Sequence, residues 1–371
     1  MPPVSVLKIP GTQIPKLRRR LLAWYAKRKR DLPWRRTRDP YAIWISEIML
    51  QQTRVAAVIP YYERFMAKFP VLQSLARAKT ETVLGHWSGL GYYSRARNLH
   101  RAAKQIVARH GGHVPREHEA ALALPGIGRY TAAAVLSIAY DQPFAVLDGN
   151  VARVLARLGA VRGALRAPAL WRELEATAQE LLARHAPSDW NQAMMELGAT
   201  ICTPKSPSCT ECPLSVWCRA RKLGIASHIP APRKKRASVR VTFAAAIFLD
   251  PKGRTLLVRQ PNDDGALFSR MWQFPALQAG ADGASELGRF LREKFKIAVN
   301  GNLESLEAAR HTVTFRDIRL LPFVIRVPRL PQIQGARAVV LGGLGSLPIS
   351  NATRKIAQAA LDGGAIQKGH M

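Results

Sequence analysis

The chain has 371 residues, 47% of them hydrophobic, which is enough for two or three ordinary domains with a sizeable buried core. Its formal net charge of +31 far exceeds what solubility requires and indicates a polyanionic partner, nucleic acid first and an acidic membrane surface second. Because no apolar run has the length of a signal peptide or a spanning helix, we expect a soluble intracellular protein rather than a secreted or membrane protein.

Residues 16–38 form the first strongly basic segment, with eleven Lys or Arg and one Asp. A solvated helix face is the ordinary explanation for such a run of charge. The interleaved Trp24, Tyr25 and Trp34 favour a surface that both packs and touches nucleic acid.

Residues 41–200 predict a mainly helical region, because apolar residues recur at helical spacing and Gly and Pro mark the ends of the segments. Within it, LPGIGRYT at 124–131 places Gly126 and Gly128 in a short turn before a helix. Glycines there permit backbone angles closed to other residues, and N–H groups at a helix start can hold a phosphate. An ordinary helix connection is the alternative, but the nearby LDGNV motif and the net charge favour phosphate binding.

The cysteines of the chain follow the pattern C-x6-C-x2-C-x5-C, at Cys202, Cys209, Cys212 and Cys218. Four thiolates this close along the chain can surround one metal centre, whereas a secreted disulfide framework would be spread more widely. The spacing leaves both zinc and an iron–sulfur cluster open.

A Pro-rich, basic linker is predicted at 222–239, and the pattern of residues changes from helical to β-type after it. Residues 240–355 hold β-rich segments, DPKGR as a hairpin-like turn and one helix-like run, GASELGRFLREKF. The predicted organisation is therefore a mostly α region at 1–221, the linker, a small α+β domain at 240–355 and a tail at 356–371.

Four stretches together resemble the helix–hairpin–helix DNA glycosylase superfamily: WISEIMLQQTRV, LPGIGRYTAAAVLS, VLDGNVARVLAR and the cysteine loop. Within it, the chain is most similar to the adenine DNA glycosylase (MutY) family, which is related to endonuclease III. The resemblance is strong over 20–220 and looser over 240–355. It implies a 4Fe–4S cluster on the cysteine loop, rather than zinc, and a Nudix-like C-terminal domain.

Two carboxylates have the character that glycosidic bond cleavage needs. Glu47 lies among apolar residues in WISEIMLQQ, where burial would raise its pKa and keep it protonated near neutral pH, although a lone Glu on a helix is ordinarily solvated. Asp148 precedes a helix and could be only an N-cap. The resemblance implies that Glu47 protonates the leaving base, that Asp148 stabilises the oxocarbenium-like sugar, and that Asn150 orients Asp148 or a water.

Tyr130 occupies the seventh position of LPGIGRYT. The resemblance implies a lysine at this position in endonuclease III-type enzymes, where the amine forms a Schiff base with the sugar. Since a phenol cannot form an imine, we predict a monofunctional glycosylase that leaves an abasic site. Plain packing is the alternative role for Tyr130, which the resemblance places beside the pocket.

Chemistry on a base requires unstacking it, so some side chains must enter the duplex. Gln51, Gln52 and Thr53 follow Glu47 on its predicted helix, and GYYS offers two tyrosines, which could otherwise be one core and one rim residue. The resemblance implies that Gln52 and Tyr92 insert at the lesion. It also implies an adenine pocket with Arg30, Trp34 and Arg35 at its entrance and Gln192 facing the base.

In the C-terminal domain, HTVTF at 311–315 matches the loop by which the family reads 8-oxoguanine. Thr314 keeps a hydroxyl, whereas Phe315 replaces a histidine, so weaker selectivity for the oxidised base is expected. Arg310 and Arg316 are expected to help this domain dock on DNA. The acidic cluster of Nudix hydrolases is missing from FLREKFKIA, so we predict no pyrophosphatase activity.

The sequence therefore predicts an adenine glycosylase of base-excision repair, acting on double-stranded DNA at adenine opposite 8-oxoguanine or guanine. We expect a monomer of the bacterial cytosol, with other repair proteins as further partners and no membrane. The alternatives are a related glycosylase acting on T or U opposite G, a non-catalytic iron–sulfur DNA-binding protein, and a Nudix hydrolase. The predicted C-terminal domain argues against the thymine or uracil glycosylase. The pair Glu47 and Asp148 argues against the non-catalytic protein, and the missing acidic cluster argues against the Nudix hydrolase.

Overall fold

The computed structural model describes residue 7 and residues 9–231, 237–259, 271–299, 303–313 and 315–363. Thr314, expected to face an opposite base, lies outside the described residues. Across the described ranges, every helix is too short or too polar to cross a lipid bilayer. The chain folds into two compact units, Met1–Arg77 with Asn98–Lys234 and Ala78–Arg97 with Lys235–Met371.

The first unit is helical, as the apolar periodicity predicts. Its helices are α1 (Ile14–Arg28), α2 (Pro40–Leu50), α3 (Val55–Lys68), α4 (Leu72–Arg77), most of α6 (Tyr93–Arg109), α7 (His118–Leu122), α8 (Arg129–Tyr140), α9 (Gly149–Gly159), α10 (Pro168–Leu181), α11 (Pro187–Thr200) and α12 (Arg219–Lys222). Helix α2 is apolar on nearly every face and is buried from Tyr41 to Met49. It packs against α8, and α11 packs against α1, α8 and α9. Residues of α1, α9, α10 and α11 share one core.

The aromatic residues of the basic segment pack into the first unit. Tyr25 and Trp34 are buried, and Trp24 packs partly against the same core as Leu17 and Leu21. Helix α1 therefore turns one apolar face inward and leaves its basic residues outside. The expectation of an outer surface that touches nucleic acid is wrong for Tyr25, whereas Trp34 lines a cavity of the first unit.

The predicted linker is partly packed. Helix α12 includes Lys222, and Ala226 and Ile229 are buried with Ala156 and Ala220 in a small core of the first unit. Residues 232–236, within the predicted linker, lie outside the described residues. Residues 222–231 of the predicted linker thus belong to the first unit and pack against it.

The second unit contains the predicted α+β region. Its strands are β1 (Val239–Leu249), β2 (Arg254–Arg259), β3 (Trp272–Gln273), β4 (Ala276–Ala279), β5 (Glu304–Ser305), β6 (Ala309–Val313), β7 (Arg316–Arg326) and β8 (Ala336–Val340), and its helices are α5 (Thr80–Trp87), α13 (Gly283–Phe295) and α14 (Asn351–Asp362). One sheet has the order β4-β1-β7-β5, with β6 also on β7, and the other has the order β3-β2-β8.

Strand β1 is the centre of this unit, because alternate residues face opposite cores. Ala245 and Ile247 pack with the Ile356 face of α14, whereas Ala246 and Phe248 pack with the Leu287 face of α13. Strand β1 runs parallel to β7 and antiparallel to β4. The predicted tail is therefore wrong for 356–362, which complete α14 and belong to the core.

The DPKGR turn is present, but it does not make a hairpin. Asp250 caps the turn by accepting from the backbone N–H groups of Lys252 and Arg254 at 3.0 and 2.8 Å. Strand β2 then pairs with β3 and β8, in the other sheet from β1. Turn chemistry is local, whereas the choice of strand partner depends on distant residues.

Residues 78–97 belong to the second unit, although the sequence-based boundaries placed them at 1–221. This segment comprises α5, the loop that carries Tyr92 and the first turn of α6. The second unit is therefore assembled from two distant parts of the chain.

Candidate active site

A cavity of about 710 Å³ opens in the first unit between α2, α8, α9 and α11. It brings together residues that are widely separated in sequence. The sequence-predicted residues that line it are Arg30, Trp34, Arg35, Glu47, Gln51, Gln52, Thr53, Tyr130, Asp148, Asn150 and Gln192. Two further lining residues that sequence reasoning missed are Arg166 and Trp171, which carry no motif signal.

Glu47 and Tyr130 form a buried hydrogen-bonded pair in this cavity. The Tyr130 hydroxyl donates to Glu47 Oε2 at 2.7 Å, and it also lies 3.5 Å from the sulfur of Met195. Burial is the main cause that raises the pKa of Glu47, to about 7, and the nearby Asp148 charge adds to it, while Tyr130 and Arg35 oppose it. Glu47 can therefore hold a proton near neutral pH, as a general acid must.

Asp148 is both the N-cap of α9 and a lining residue of the cavity. Its Oδ1 accepts from the backbone N–H groups of Asn150 and Val151 at 2.9 and 2.7 Å, and its Oδ2 accepts from Asn150 Nδ2 at 3.0 Å. Burial raises the pKa of Asp148 above its ordinary value, while these donors favour the charged form. Asp148 can thus be both an N-cap and a functional carboxylate, because the capping hydrogen bonds orient its side chain.

Glu196 is a functional candidate that sequence reasoning missed. Its carboxylate accepts from Arg30 Nε and Nη2 at 2.7 and 2.8 Å and from Arg35 Nη2 at 2.8 Å. Burial would raise the pKa of Glu196, but these hydrogen bonds outweigh it and lower the pKa to about 2. Glu196 lies one helical turn after Gln192 on α11, and that spacing is the one signal that could have indicated it.

Gln51, Gln52 and Thr53 do not continue the helix of Glu47. Helix α2 ends at Leu50, Gln51 donates from Nε2 to Thr131 Oγ1 at 3.1 Å, and Thr53 donates to the Gln51 carbonyl at 3.3 Å. Gln52 is exposed at a φ of 58°, a strained angle for a residue other than glycine. The prediction that these three residues stay on the helix is wrong, and the turn leaves Gln52 exposed while it still lines the cavity.

Helix α9 leads from the cavity to the cysteine loop through two buried arginines. Arg153 donates from Nη2 to Asn150 Oδ1 at 2.9 Å and from Nε to the Cys202 carbonyl at 2.8 Å. Arg157 is 1% exposed and donates from Nη1 to the Cys202 sulfur at 3.2 Å and to the Thr203 carbonyl at 2.7 Å. Neither arginine was singled out from the sequence, where both look like ordinary helix residues.

The four cysteines line one small cavity together with Arg157. Each of these described thiols is half-buried and outside any disulfide. Among the described residues, no three His, Cys, Asp or Glu side chains converge closely enough to hold a single metal ion. The four thiols therefore share one cavity.

The two glycines of LPGIG play different parts. Gly126 has a φ of 78°, and a Cβ there would lie 2.7 Å from the Cβ of Asn98, so both conformation and space demand glycine. Gly128 is extended, at a φ of −97°, and caps α8. The expectation of an unusual backbone angle is therefore wrong for Gly128, where a Cβ would have nothing within 4 Å.

We expect alanine at these two positions to change the stability of the protein by very different amounts. Gly126→Ala should lower the free energy of unfolding by about 1–3 kcal/mol, because of the positive φ and the collision with Asn98. Gly128→Ala should change it by less than about 0.5 kcal/mol. Denaturant unfolding of both variants tests this, and equal destabilisation would contradict the structural difference.

In the second unit, the strands β6 and β7 form the hairpin that contains HTVTF. Arg310 pairs with Asp317 across it, with Nε 2.7 Å from Oδ1, and the Arg316 guanidinium lies 4.7 Å from the centre of the Phe315 ring. Burial lowers the pKa of His311, and Lys355 lowers it further. The charge of Arg310 is thus partly offset by Asp317.

Comparisons with known proteins show which family the chain resembles. Residues 45–184 match the family described as HhH-GPD superfamily base excision DNA repair protein. The chain is 33% identical over 314 residues to the adenine DNA glycosylase of Buchnera aphidicola subsp. Acyrthosiphon pisum, covering 84% of this chain and 87% of that protein. It is 41% identical over 327 residues to the adenine DNA glycosylase of Rattus norvegicus, covering 74% of this chain.

The chain spans 63% of the length of the rat relative. A solved structure of a thermostable thymine-DNA glycosylase is similar with a TM-score of 0.52 and 30% identity, covering 57% of this chain and 98% of that one. The extended match to the Buchnera relative reaches beyond the glycosylase region into the second unit. The chain therefore belongs to the adenine DNA glycosylase family, within the helix–hairpin–helix base-excision repair superfamily.

Proposed function

We propose that the protein is a monofunctional DNA glycosylase that hydrolyses the bond between adenine and deoxyribose in double-stranded DNA, at adenine opposite 8-oxoguanine or guanine. The observation that carries the proposal is the buried pair of Glu47 and Tyr130, in one cavity with Asp148. A buried acid with a pKa of about 7 beside a second carboxylate is the arrangement that cleavage of a glycosidic bond requires.

The roles of the two carboxyl groups follow from their surroundings. Glu47 donates its proton to a ring nitrogen of the extruded adenine as the C–N bond breaks, so that the base leaves neutral. Asp148, aimed by Asn150 and the start of α9, stabilises the positive charge that develops on the sugar. A water molecule then adds to the anomeric carbon and loses a proton, which leaves an abasic site.

Tyr130 supports the monofunctional part of the proposal. Its hydroxyl is committed to Glu47, and a phenol has no amine to attack the sugar. The Tyr130 hydroxyl fixes the orientation of the acid instead. We therefore expect no Schiff base and no strand cleavage at this position.

A pocket wall of three residues supports recognition of a flat base. Trp34 is buried with its ring at 5.4 Å from Tyr62, and Arg35 is held by Glu196. Gln192 lines the cavity and offers an amide that can pair with the edge of a base. A purine entering here would meet an aromatic face and polar groups of fixed position.

Contacts to the rest of the DNA are proposed from charge and backbone geometry. The open space at Gly128 leaves room for a phosphate against the first turn of α8. Selection of 8-oxoguanine or guanine opposite the adenine is assigned to the HTVTF hairpin, and the role of Thr314 in it stays a prediction.

We propose that the cysteine loop binds a 4Fe–4S cluster. A tetrahedral zinc ion would draw its thiolates to about 2.3 Å from a single point, whereas a cluster holds them around a larger centre. Four thiols that line one cavity can serve either centre, and the resemblance to the glycosylase family favours the cluster, with Cys202, Cys209, Cys212 and Cys218 as ligands and Arg157 donating to one sulfur. Such a cluster would tie the loop into one rigid piece. Iron and acid-labile sulfide in the purified protein would support it, and stoichiometric zinc would contradict it.

The rate of adenine release should depend on pH through Glu47. Because its pKa is raised to about 7, the acid form is abundant below that pH and is lost above it. We therefore expect the single-turnover rate to fall about tenfold per pH unit above pH ~8. A rate that stays constant from pH 6 to ~9 would contradict the role of Glu47 as the acid.

The function is tested on end-labelled duplexes carrying adenine opposite 8-oxoguanine, adenine opposite guanine, and thymine or uracil opposite guanine, each with and without alkali. Breaks that appear only after alkali, on the adenine duplexes, would support the proposal. Breaks without alkali, or a borohydride-trapped adduct, would contradict the monofunctional mechanism. Activity on thymine or uracil alone would favour the substrate named for the structurally similar thymine-DNA glycosylase.

A further inference from the structure

The loop between α5 and α6 holds one aromatic side chain in an unusual, outward conformation. Tyr92 is 43% exposed and has a φ of 49°, and its neighbours Gly89 and Gly91 also have positive φ, 101° and 79°. An L-residue in the left-handed region costs energy, so such a conformation persists only where surrounding contacts impose it.

Those contacts come from residues 349–354, more than 250 positions away in sequence. The Ile349 carbonyl accepts from Ser88 Oγ at 2.9 Å and from the Tyr93 hydroxyl at 2.8 Å. Asn351 donates from Nδ2 to the Gly89 carbonyl at 3.2 Å, and Arg354 donates from Nη2 to Ser88 Oγ at 2.9 Å. The start of α14 thus binds the loop on both sides of its bend.

Helix α5, which leads into the loop, is fixed to the same unit. Glu81 Oε1 accepts from Trp272 Nε1 and from Arg337 Nη1, each at 3.0 Å. These bonds come from β3 and β8, the two outer strands of the smaller sheet. Both ends of the segment are therefore held by the C-terminal part of the chain.

Within the loop, the ring of Tyr92 is supported from behind. The Arg95 guanidinium lies 5.3 Å from the centre of the Tyr92 ring and 5.4 Å from that of Trp87. The Gly91 carbonyl accepts from Trp87 Nε1 at 3.1 Å and from Arg95 Nη2 at 3.2 Å. The loop has little room to relax, and Tyr92 is its exposed aromatic residue.

We infer that residues 349–354 position Tyr92 as a rigid wedge that enters the DNA stack when a base is extruded. A wedge can separate stacked bases only if it does not fold back under load, and a preorganised side chain loses less entropy on insertion. The sequence assigned 240–355 to mismatch recognition and to docking on DNA. This inference rests on the proposed function and gives the C-terminal part a further task, support of base extrusion.

The test removes single hydroxyl or amide groups from the support and leaves Tyr92 in place. Tyr93→Phe deletes the donor to Ile349 and the acceptor of the Gly89 N–H, and Asn351→Ala deletes the bond to the Gly89 carbonyl. Tyr140→Phe is the matched control, because it removes a hydroxyl that donates to the Val114 carbonyl in the first unit. Extrusion is followed by fluorescence of 2-aminopurine beside the target adenine, and base release by single turnover.

We expect Tyr93→Phe and Asn351→Ala each to slow extrusion and release about fivefold to tenfold, and Tyr140→Phe to change neither. The decisive measurement is a double variant, because in a Tyr92→Ala background Tyr93→Phe should have no further effect. The defect should also disappear on adenine in a single strand, where no stack has to be opened.

The inference is overturned if Tyr93→Phe slows release as much in the Tyr92→Ala background as in the wild-type protein. It is also overturned if the support variants slow release as much on single-stranded substrate as on duplex, since either result means a general structural role. Unchanged extrusion in both support variants would also overturn it. If the wild-type protein releases no adenine from any duplex, the proposed function fails. A Tyr92-dependent fluorescence change that needs Tyr93 and Asn351 would then still support the positioning role.

Discussion

Replacing Glu47 with glutamine is expected to slow adenine release by about three orders of magnitude, because the variant has no proton to give to the leaving base. Glutamine keeps the size of the side chain and can still accept from the Tyr130 hydroxyl. The remaining activity should also lose its decline at alkaline pH. Single-turnover release between pH 6 and ~9, with and without the substitution, measures both effects.

A measurement of stability distinguishes this loss of activity from unfolding of the variant. The pKa of Glu47 is raised to about 7 in the folded protein, so ionisation of this carboxyl destabilises the fold progressively from pH ~4 to pH ~7. Glutamine has no such ionisation, and Glu47→Gln should be more stable than wild type above pH 7 by up to about 3 kcal/mol. Glu63→Gln, on the exposed face of α3, is the control and should change neither rate nor stability. An inactive and less stable Glu47→Gln protein would argue for a structural role alone.

Replacing Glu196 with glutamine is expected to destabilise the protein by about 3 kcal/mol and to disturb the pocket at the same time. The Glu196 side chain is fully buried and balances Arg30 and Arg35, so removing its charge leaves two cations without their partner. The positive field of Arg35 at Glu47 then grows, which lowers the pKa of Glu47. We expect slower release and an alkaline decline that begins at lower pH.

The pH dependence of stability gives an independent check on Glu196. Its folded pKa is depressed to about 2, so its contribution is present above its unfolded value of about 4 and is lost as pH falls toward 2. Glu196→Gln should therefore approach wild-type stability in acid. Asp31→Asn is the matched control, because it breaks an exposed pair with Arg36 and should have no measurable effect. If Glu196→Gln lowers the free energy of unfolding by the same amount at every pH, the ion-pair explanation is contradicted.

Several parts of the site could be predicted because their causes are local. The apolar neighbours Ile45 and Ile48 indicate a buried Glu47, and LDGNV places a capping carboxylate before a helix. The positive φ at Gly126 follows from turn chemistry within a few residues. In each case the physical reason lies in one turn or one helix face.

Other parts could not be predicted, since their partners are far away along the chain. Glu196 meets Arg30 and Arg35 across sequence separations of 166 and 161 residues. The end of α2 at Leu50, which leaves Gln52 exposed, has no Gly or Pro to announce it. Sequence patterns indicate which face of a helix or strand is apolar, but they do not indicate which distant polar group will pair with a given side chain.

By itself, the sequence determined the two-part organisation, the helical character of the first part, the candidate acid and the clustering of the cysteines, because periodicity, composition and motif spacing act over short distances. Only the tertiary structure decided that Glu196 orders the arginines of the pocket and that residues 349–354 hold the loop of Tyr92. Buried charges must find partners and strained loops must find support, and packing of distant segments supplies both.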